Sequence, residues 1–326
     1  VLVLSQAEVE ALLPVAECIE PMARALAALA RGEAFQPLRT IVRPPGAAGL
    51  QALMPAYAGG AAPAFGVKLV GVFPGNVARG MDAHQGAVLL FDGTTGAPSA
   101  LMNAAAVTAI RTAAVSGLAT RLLAREDARE LAVLGAGVQA RTHLLAMAAV
   151  RRFARARVAS RRRERAEALA LEMAGRVPFP IEAAPTNEAA VRGADVVVTV
   201  TDSAEPVLRR EWLADGAHLN VVGASLPHAR EADSATVASA RLFCDRRESL
   251  LNEAGDYLIP LREGAIGPDH VQAELGEVLI GARPGRRSAS EITLFKSLGL
   301  AVEDLAAARE LLERAEAHGV GSRVAF

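Results

Sequence analysis

Apolar and polar positions change their period near residue 130, and the change divides the chain into two kinds of segment. Before it, helix and strand patterns mix. Ser5-Gln6-Ala7-Glu8 reads as a helix start, with Ser placed to cap and Glu three residues on placed to reach back. A second helical pattern runs from Val15 to Ala30 and stops near Gly32. Strand-like runs follow at Arg39–Val42, Ala64–Val72 and Ala87–Phe91, the last ending in the turn dipeptide Asp92-Gly93. Asn103 to Arg125 is rich in Ala, Leu, Thr and Arg and predicts one long helix that bridges two domains.

From Glu130 the pattern becomes strand, helix, strand, helix. Strands are predicted at Glu130–Gly135, Ala156–Ser160, Ile181–Ala184, Asp195–Val200, His218–Gly223 and Arg241–Asp245. Helices are predicted after Gly135 to about Val150 and from Arg163 to Ala174. This rhythm implies an α/β fold with a parallel sheet and right-handed crossovers. The tail, Val302 to His318, reads as an amphipathic helix.

Composition narrows the class. The 326 residues suit about two domains. Lys+Arg number 35 and Asp+Glu 36, so no global charge draws the chain to nucleic acid or an anionic membrane. The two cysteines, Cys18 and Cys244, make no zinc pattern and no disulfide framework, which fits a reducing cytoplasm. The opening VLVLSQAEVEALLP has no basic start and no cleavage site, so no signal peptide is expected. The Ala-rich runs are broken by Arg and Glu, so no membrane span is expected.

Gly135-Ala136-Gly137-Val138-Gln139-Ala140 has the form GxGxxA, directly after a strand and at a helix start. Gly135 permits the tight turn, Gly137 lets backbone approach a pyrophosphate, and Ala140 allows close helix–strand contact. The helix N-terminus then offers N–H groups to phosphate. A nicotinamide dinucleotide is the expected ligand. NAD enzymes usually carry Asp or Glu at the end of the second strand, but here stands Ser160-Arg161-Arg162-Arg163. Cations suit a 2′-phosphate, so NADP(H) is favoured over NAD(H). The same arginines also suit a solvated helix start, and a nucleic-acid patch is disfavoured because Phe153 is the only nearby stacking aromatic.

Several segments together carry a resemblance. They are Gln36-Pro-Leu-Arg-Thr40, Met54-Pro-Ala-Tyr57, Gly66-Val-Lys68, His84-Gln-Gly86, Thr108-Ala-Ile-Arg-Thr-Ala-Ala114, the glycine turn, Gly223-Ala-Ser225 and Ile292–Gly299. In this order and spacing the chain resembles the ornithine cyclodeaminase/mu-crystallin family over almost its whole length. The resemblance implies a Rossmann-type dinucleotide domain at 113–297, inserted in an α+β substrate and dimerisation domain at 1–112 with 298–326 that the C-terminal helix closes. It implies a homodimer and a small imine or amino-acid substrate. It also implies that Arg39, Lys68 and Arg111 hold the substrate carboxylate. Lys68 sits in an apolar strand and Arg111 in an apolar helix, where a cation needs an anion, either substrate or a structural Asp or Glu. The expected cofactor-binding set is Thr112, Gly135, Ala136, Gly137, Val138, Gln139, Ser160, Arg161, Arg162, Thr201, Gly223 and Ala224. Lys296, in Thr293–Gly299, is expected near the cofactor, with backbone contact as one option.

One departure bears on the reaction. Cyclodeaminases of the family carry Asp where this chain has Ser225, and Glu just before Leu-Met-Pro, where it has Ala52. Oxidising one amine, activating another and expelling ammonia needs a positioned base, and Ser is a poor one. Reduction of a cyclic ketimine needs less, and Ser225 resembles the reductase branch. Lys68 and Ser225 are therefore the expected catalytic pair. A cyclodeaminase, an amino-acid dehydrogenase and a crystallin-like binding protein without turnover stay open. Glu231 and Asp233 read as the start of the next helix. Asp82 and His84, in a glycine-flanked loop, are candidates for a proton relay. His143, His218, His228, His270 and His318 show no metal-ligand spacing, and no metal is expected.

Overall fold

The computed structural model describes residues 1–326, apart from the side chain of Val77. Its contacts divide the chain into two units, Val1–Arg111 with Gly299–Phe326, and Thr112–Leu298. In chain order the first unit supplies β1 (Leu2–Leu4), α1 (Gln6–Leu12), α2 (Val15–Ala30), β2 (Ala34–Phe35), β3 (Thr40–Val42), β4 (Leu50–Ala58), β5 (Ala64–Val72), β6 (His84–Asp92) and β7 (Pro98–Asn103). Helix α3 (Ala104–Leu123) carries the division between the units. The second unit holds β8 (Glu130–Leu134), α4 (Val138–Val150), β9 (Arg155–Ala159), α5 (Arg163–Met173), β10 (Ile181–Ala183), α6 (Asn187–Val191), β11 (Val196–Thr199) and β12 (His218–Val221). It continues with α7 (Ser234–Ser239), β13 (Ala240–Cys244), α8 (Arg247–Glu253), α9 (Gly255–Arg262), β14 (Val271–Glu274), α10 (Leu275–Leu279) and β15 (Ile292–Lys296). The chain ends with α11 (Ala301–His318) and β16 (Ser322–Arg323) in the first unit.

The first unit is a mainly antiparallel sheet in the order β16-β1-β7-β6-β5-β4-β2, with β3 paired to β4. Alternation along β4, β5 and β6 fixes the two faces. Ala52, Met54, Ala56, Lys68, Val70, Val88 and Leu90 are buried on one face. Helix α11 packs on that side, and contact is close because Gly66 has no side chain: a Cβ there would lie 2.9 Å from Leu305. The stripe Asp304, Ala308, Leu311 and Ala315 on α11 is buried.

In the second unit every strand pairing is parallel, in the order β10-β9-β8-β11-β12-β15-β13-β14. The order reverses direction between β8 and β11, the position where such sheets open a crevice at their carboxyl ends. Two strands of this sheet escape the sequence pattern. In β15 the residues Thr293 and Lys296 interrupt the apolar run, yet all five of its residues are buried. Strand β14 is a short edge. Helix α4 is tied to α3 by the buried His143, whose Nδ1–H donates to the Gln139 carbonyl at 2.7 Å while Nε2 accepts from the Ser116 hydroxyl at 3.0 Å. Burial pushes this imidazole down to about 4, so it stays neutral. Among the described residues no helix is long and apolar enough to cross a membrane.

Candidate active site

The first unit gathers charge on its apolar side. Lys68, at the middle of β5, stands opposite Met54 on β4 and Val88 on β6, and only 3% of it is exposed. Its ammonium lies 2.7 Å from the Asp304 carboxylate and 3.4 Å from the Thr108 hydroxyl. Arg111 is buried on α3. Its Nε–H donates to the other Asp304 oxygen at 2.9 Å, and an Nη–H donates to Glu303 at 3.0 Å. Arg39, half-buried just before β3, donates to the Gly299 carbonyl at 3.0 Å.

Each charge shifts its neighbours. Burial lowers the Lys68 pKa and Asp304 raises it, while Arg111 and Arg39 lower it further, leaving it at about 8. Burial pushes the Asp304 carboxyl up, but Arg111 and Lys68 hold it below the usual carboxylate range. Desolvation and the Lys68 ammonium push His84 below its usual value, against Asp82. Gly299 has φ +77°, and a Cβ there would meet the Arg111 guanidinium at 2.5 Å, so glycine is required beside this cation. Helix α11 starts under two further constraints. Glu303 accepts from the Leu300 N–H at 3.1 Å, and the Gln36 side-chain oxygen accepts from the Val302 N–H at 3.0 Å. Two acids in this first turn also suit the positive end of the helix.

In the second unit the glycine turn follows β8 directly. Gly135 has φ +119°, and a Cβ on it would lie 2.6 Å from the Val200 carbonyl. Gly137 starts α4 with no side-chain cap and open space around its Cα. The Gln139 side-chain oxygen is buried with no partner, and Val138 is exposed. An uncapped helix start with open glycine and an orphaned polar atom fits a dinucleotide pyrophosphate. Ser160 follows β9. Arg161 grips Asp202 through both carboxylate oxygens at 2.8 and 3.1 Å, and both side chains are about four-fifths exposed. Arg162 precedes α5 and is exposed. Thr112 is buried on α3, Ala224 is buried, and Ser225 is exposed beyond β12.

The carboxyl ends of β11 and β12 are locked together by a buried network whose centre, Glu231 with Asp256, the sequence pattern did not assign to the site. Glu231 does not start a helix: Asp233 caps α7, and Glu231 is fully buried. Its oxygens accept from the Thr199 hydroxyl, the Thr201 N–H, the Thr201 hydroxyl and the Gly223 N–H at 2.6–2.7 Å. Burial, with Asp256 nearby, pushes its carboxyl up, while Lys296 and the Thr201 and Thr199 hydroxyls oppose the rise. Asp256 accepts from the Glu231 and Ala232 N–H groups at 2.8 and 2.9 Å. Lys296 pairs with Asp256 at 3.0 Å and donates to the Ala224 carbonyl at 2.5 Å. Lys296 therefore spends its ammonium inside the protein, where it holds the loop that carries Ser225. Gly223 fits this lock only without a side chain, since a Cβ would lie 2.1 Å from the Thr201 carbonyl. A lysine inside the apolar β15 was the one available signal for this network.

A profile of the ornithine cyclodeaminase/mu-crystallin family matches residues 1–319. The chain belongs to that family. The ketimine reductase mu-crystallin of Mus musculus is 42% identical over 294 residues, 89% of this chain and 90% of that one. A Δ1-pyrroline-2-carboxylate reductase of Bacillus cereus (strain ZK / E33L) is 36% identical over 326 residues, the full length of both. The solved structure of the Thermococcus litoralis Δ1-pyrroline-2-carboxylate reductase in complex with NADH and L-proline is 40% identical, with a TM-score of 0.96 over 99% of this chain and 100% of that one.

For this family member, the Glu231 lock is directly testable. In Glu231→Gln an amide NH2 faces N–H and O–H donors. The expected loss of stability is about 3 kcal/mol, the scale of hydrogen bonds to a buried charge, with weaker dinucleotide binding. Urea unfolding and nucleotide titration read both. Unchanged stability and affinity would show that the network does not hold these loops.

Proposed function

We propose that this protein reduces a cyclic ketimine carboxylate, Δ1-pyrroline-2-carboxylate or Δ1-piperideine-2-carboxylate, to the cyclic L-amino acid with a nicotinamide cofactor. The observation that carries the reading is the state of the carboxylates beside Lys68 and Arg111. Glu303 and Asp304 are both taken up by those cations, and Ala52, buried on β4, supplies no acid. The cations are arranged to receive a carboxylate, and this face offers little to activate a second amine. Reduction of a ready-made imine asks for that and little more.

Lys68, Arg111 and Arg39 would hold the substrate carboxylate, and the ring imine would enter protonated. A reduced nicotinamide, when bound, supplies the hydride that adds to the imine carbon. The C=N π pair then becomes the amine lone pair, so no base of the protein is needed for the bond change. Ser225 is assigned to positioning the imine. Gly135, Ala136, Gly137, Val138 and Gln139 would hold the pyrophosphate, with Thr112, Thr201, Gly223 and Ala224 completing the cofactor set.

A panel of five- and six-membered cyclic imine carboxylates with NADPH tests the function. Release of ammonia from L-ornithine, with no reduction of cyclic imines, would overturn it. Arg111→Met should lower kcat/KM for the accepted imine about a hundredfold or more, the equivalent of about 3 kcal/mol. Arg111 also neutralises Glu303 and Asp304, so the variant should lose stability too, and dinucleotide titration identifies the folded fraction. An unaltered kcat/KM would remove Arg111 from the carboxylate site.

For the cofactor, we propose NADP(H) over NAD(H). Ser160, Arg161 and Arg162 support it, because no acid ends β9. A 2′-phosphate would take Arg161 from Asp202, an exposed pair whose loss costs about 1 kcal/mol or less. NADPH should bind more tightly than NADH, and Arg161→Ala with Arg162→Ala should narrow the gap. Equal dissociation constants in the unmodified protein would refute the preference.

A homodimer is the proposed assembly. The outer face of the first unit's sheet carries Phe35, Tyr57, Phe65 and Phe91 in register across β2, β4, β5 and β6. Phe35 and Phe65 are 64% and 50% exposed, and Tyr57 and Phe65 rings lie 4.7 Å apart. An aromatic row left in water marks a surface meant to be covered. Light scattering at micromolar concentration should give twice the mass of one 33.9 kDa chain, and the mass of a single chain would contradict the proposal.

A further inference from the structure

We infer that Asp304 is a positioning residue for the substrate carboxylate, because its two oxygens tie Lys68 and Arg111 into one cationic pair of fixed geometry. The inference rests on the proposed use of that pair to hold substrate. Asp304 receives the Arg111 Nε–H on one oxygen and faces the Lys68 ammonium with the other, at 2.9 and 2.7 Å. One carboxylate thereby sets the separation of two cations that come from different elements, β5 and α3. It also sets their orientation. Asp304 takes the Arg111 Nε–H while Glu303 takes an Nη–H, and the two acceptors together fix the guanidinium plane. The Lys68 ammonium is held by its ion pair with Asp304 and donates to the Thr108 hydroxyl.

Asp304 does not sit on α11 as ordinary helix surface. It is 1% exposed and lies in the stripe that packs on the sheet. A buried carboxylate is costly unless its partners need it. Glu303 alone could neutralise Arg111, since it bonds the guanidinium at 3.0 Å. Lys68 meets the Asp304 carboxylate at 2.7 Å, so the bridge between the two cations is the distinctive feature.

The charged state of Lys68 follows from the same bridge. The charged and titratable groups around it are Asp304 and Glu303 on α11, Arg111 on α3, Arg39 before β3 and His84 on β6. Of these, Asp304 is the group that raises the lysine, whereas burial, Arg111 and Arg39 lower it. Without Asp304 the ammonium would lose its proton below the present value of about 8. Carboxylate binding would then fail at lower pH. Merely structural support from Asp304 would change stability and leave the pH profile in place.

The test uses Asp304→Asn, Asp304→Glu and Lys68→Met in the full chain. Two readouts are taken between pH 6 and 9: KM for the cyclic imine, and the dissociation constant of L-proline by calorimetry. For Asp304→Asn, KM at pH 7.5 should rise tenfold or more with a smaller change in kcat. The alkaline limb should move down by about one unit or more, the size of effect of an opposite charge in contact. Asp304→Glu should restore part of the limb. In the Lys68→Met background, Asp304→Asn should add little, because its partner is already gone. A limb that stays in place in Asp304→Asn, in both KM and L-proline binding, overturns the inference. If Asp304→Asn does not fold, the pair Lys68→Met and Asp304→Glu decides: an unshifted profile in Asp304→Glu with full proline affinity in Lys68→Met overturns it. If the unmodified protein binds L-proline but turns over no cyclic imine, the reductase reading fails and the calorimetric limb still decides the role of Asp304.

Discussion

Burying Lys68 and Arg111 against an apolar sheet face is the constraint from which the first unit follows. Each ion removed from water costs several kcal/mol after relaxation, and the cost is offset only by partners of good geometry. Helix α11 brings those partners. Its first turn must therefore reach the sheet at one place, and the sequence complies at several positions. Gly66 clears the way for Leu305, Gly299 clears the way for Arg111, and Gln36 receives the helix N–H at Val302. The C-terminal segment is thus a structural part of the cation site.

The second unit solves a different problem with the same means. A nucleotide-binding edge needs loops that do not move, yet Thr201 and Gly223 lie beyond the ends of their strands. Glu231 supplies four acceptor contacts to those two ends, Asp256 holds Glu231's own backbone, and Lys296 balances Asp256. Two carboxylates and one ammonium with almost no exposure make a stiff frame, because breaking any member leaves another buried and unpaired.

The alternating strands of the second unit were legible because parallel strands buried on both faces read as apolar runs, as at Val196–Thr199 and Leu131–Leu134. The glycine turn was legible because its backbone requirement names its residues. Strand β15 was not, because a thread of polar residues in its run serves the network on either side. Thr293 bonds His218 and the Leu123 carbonyl, and Lys296 bonds Ala224 and Asp256. The cations Lys68 and Arg111 stood out as charges in apolar runs. Their carboxylate partners stood in the sequence equally plainly, since Asp304 falls in the apolar stripe with Ala308, Leu311 and Ala315. An acid in the first turn of a helix has a ready explanation in the helix dipole, and that explanation hides the longer-range one.

Hydride transfer to the imine carbon is the central claim, and isotope transfer tests it most directly. The protein would be given Δ1-pyrroline-2-carboxylate with NADPH deuterated at the transferable position of the nicotinamide, and the product analysed by mass spectrometry and proton NMR. L-proline with one deuterium on its α-carbon is expected. Product without deuterium at that carbon, or oxidation of the cofactor with no proline formed, would contradict it.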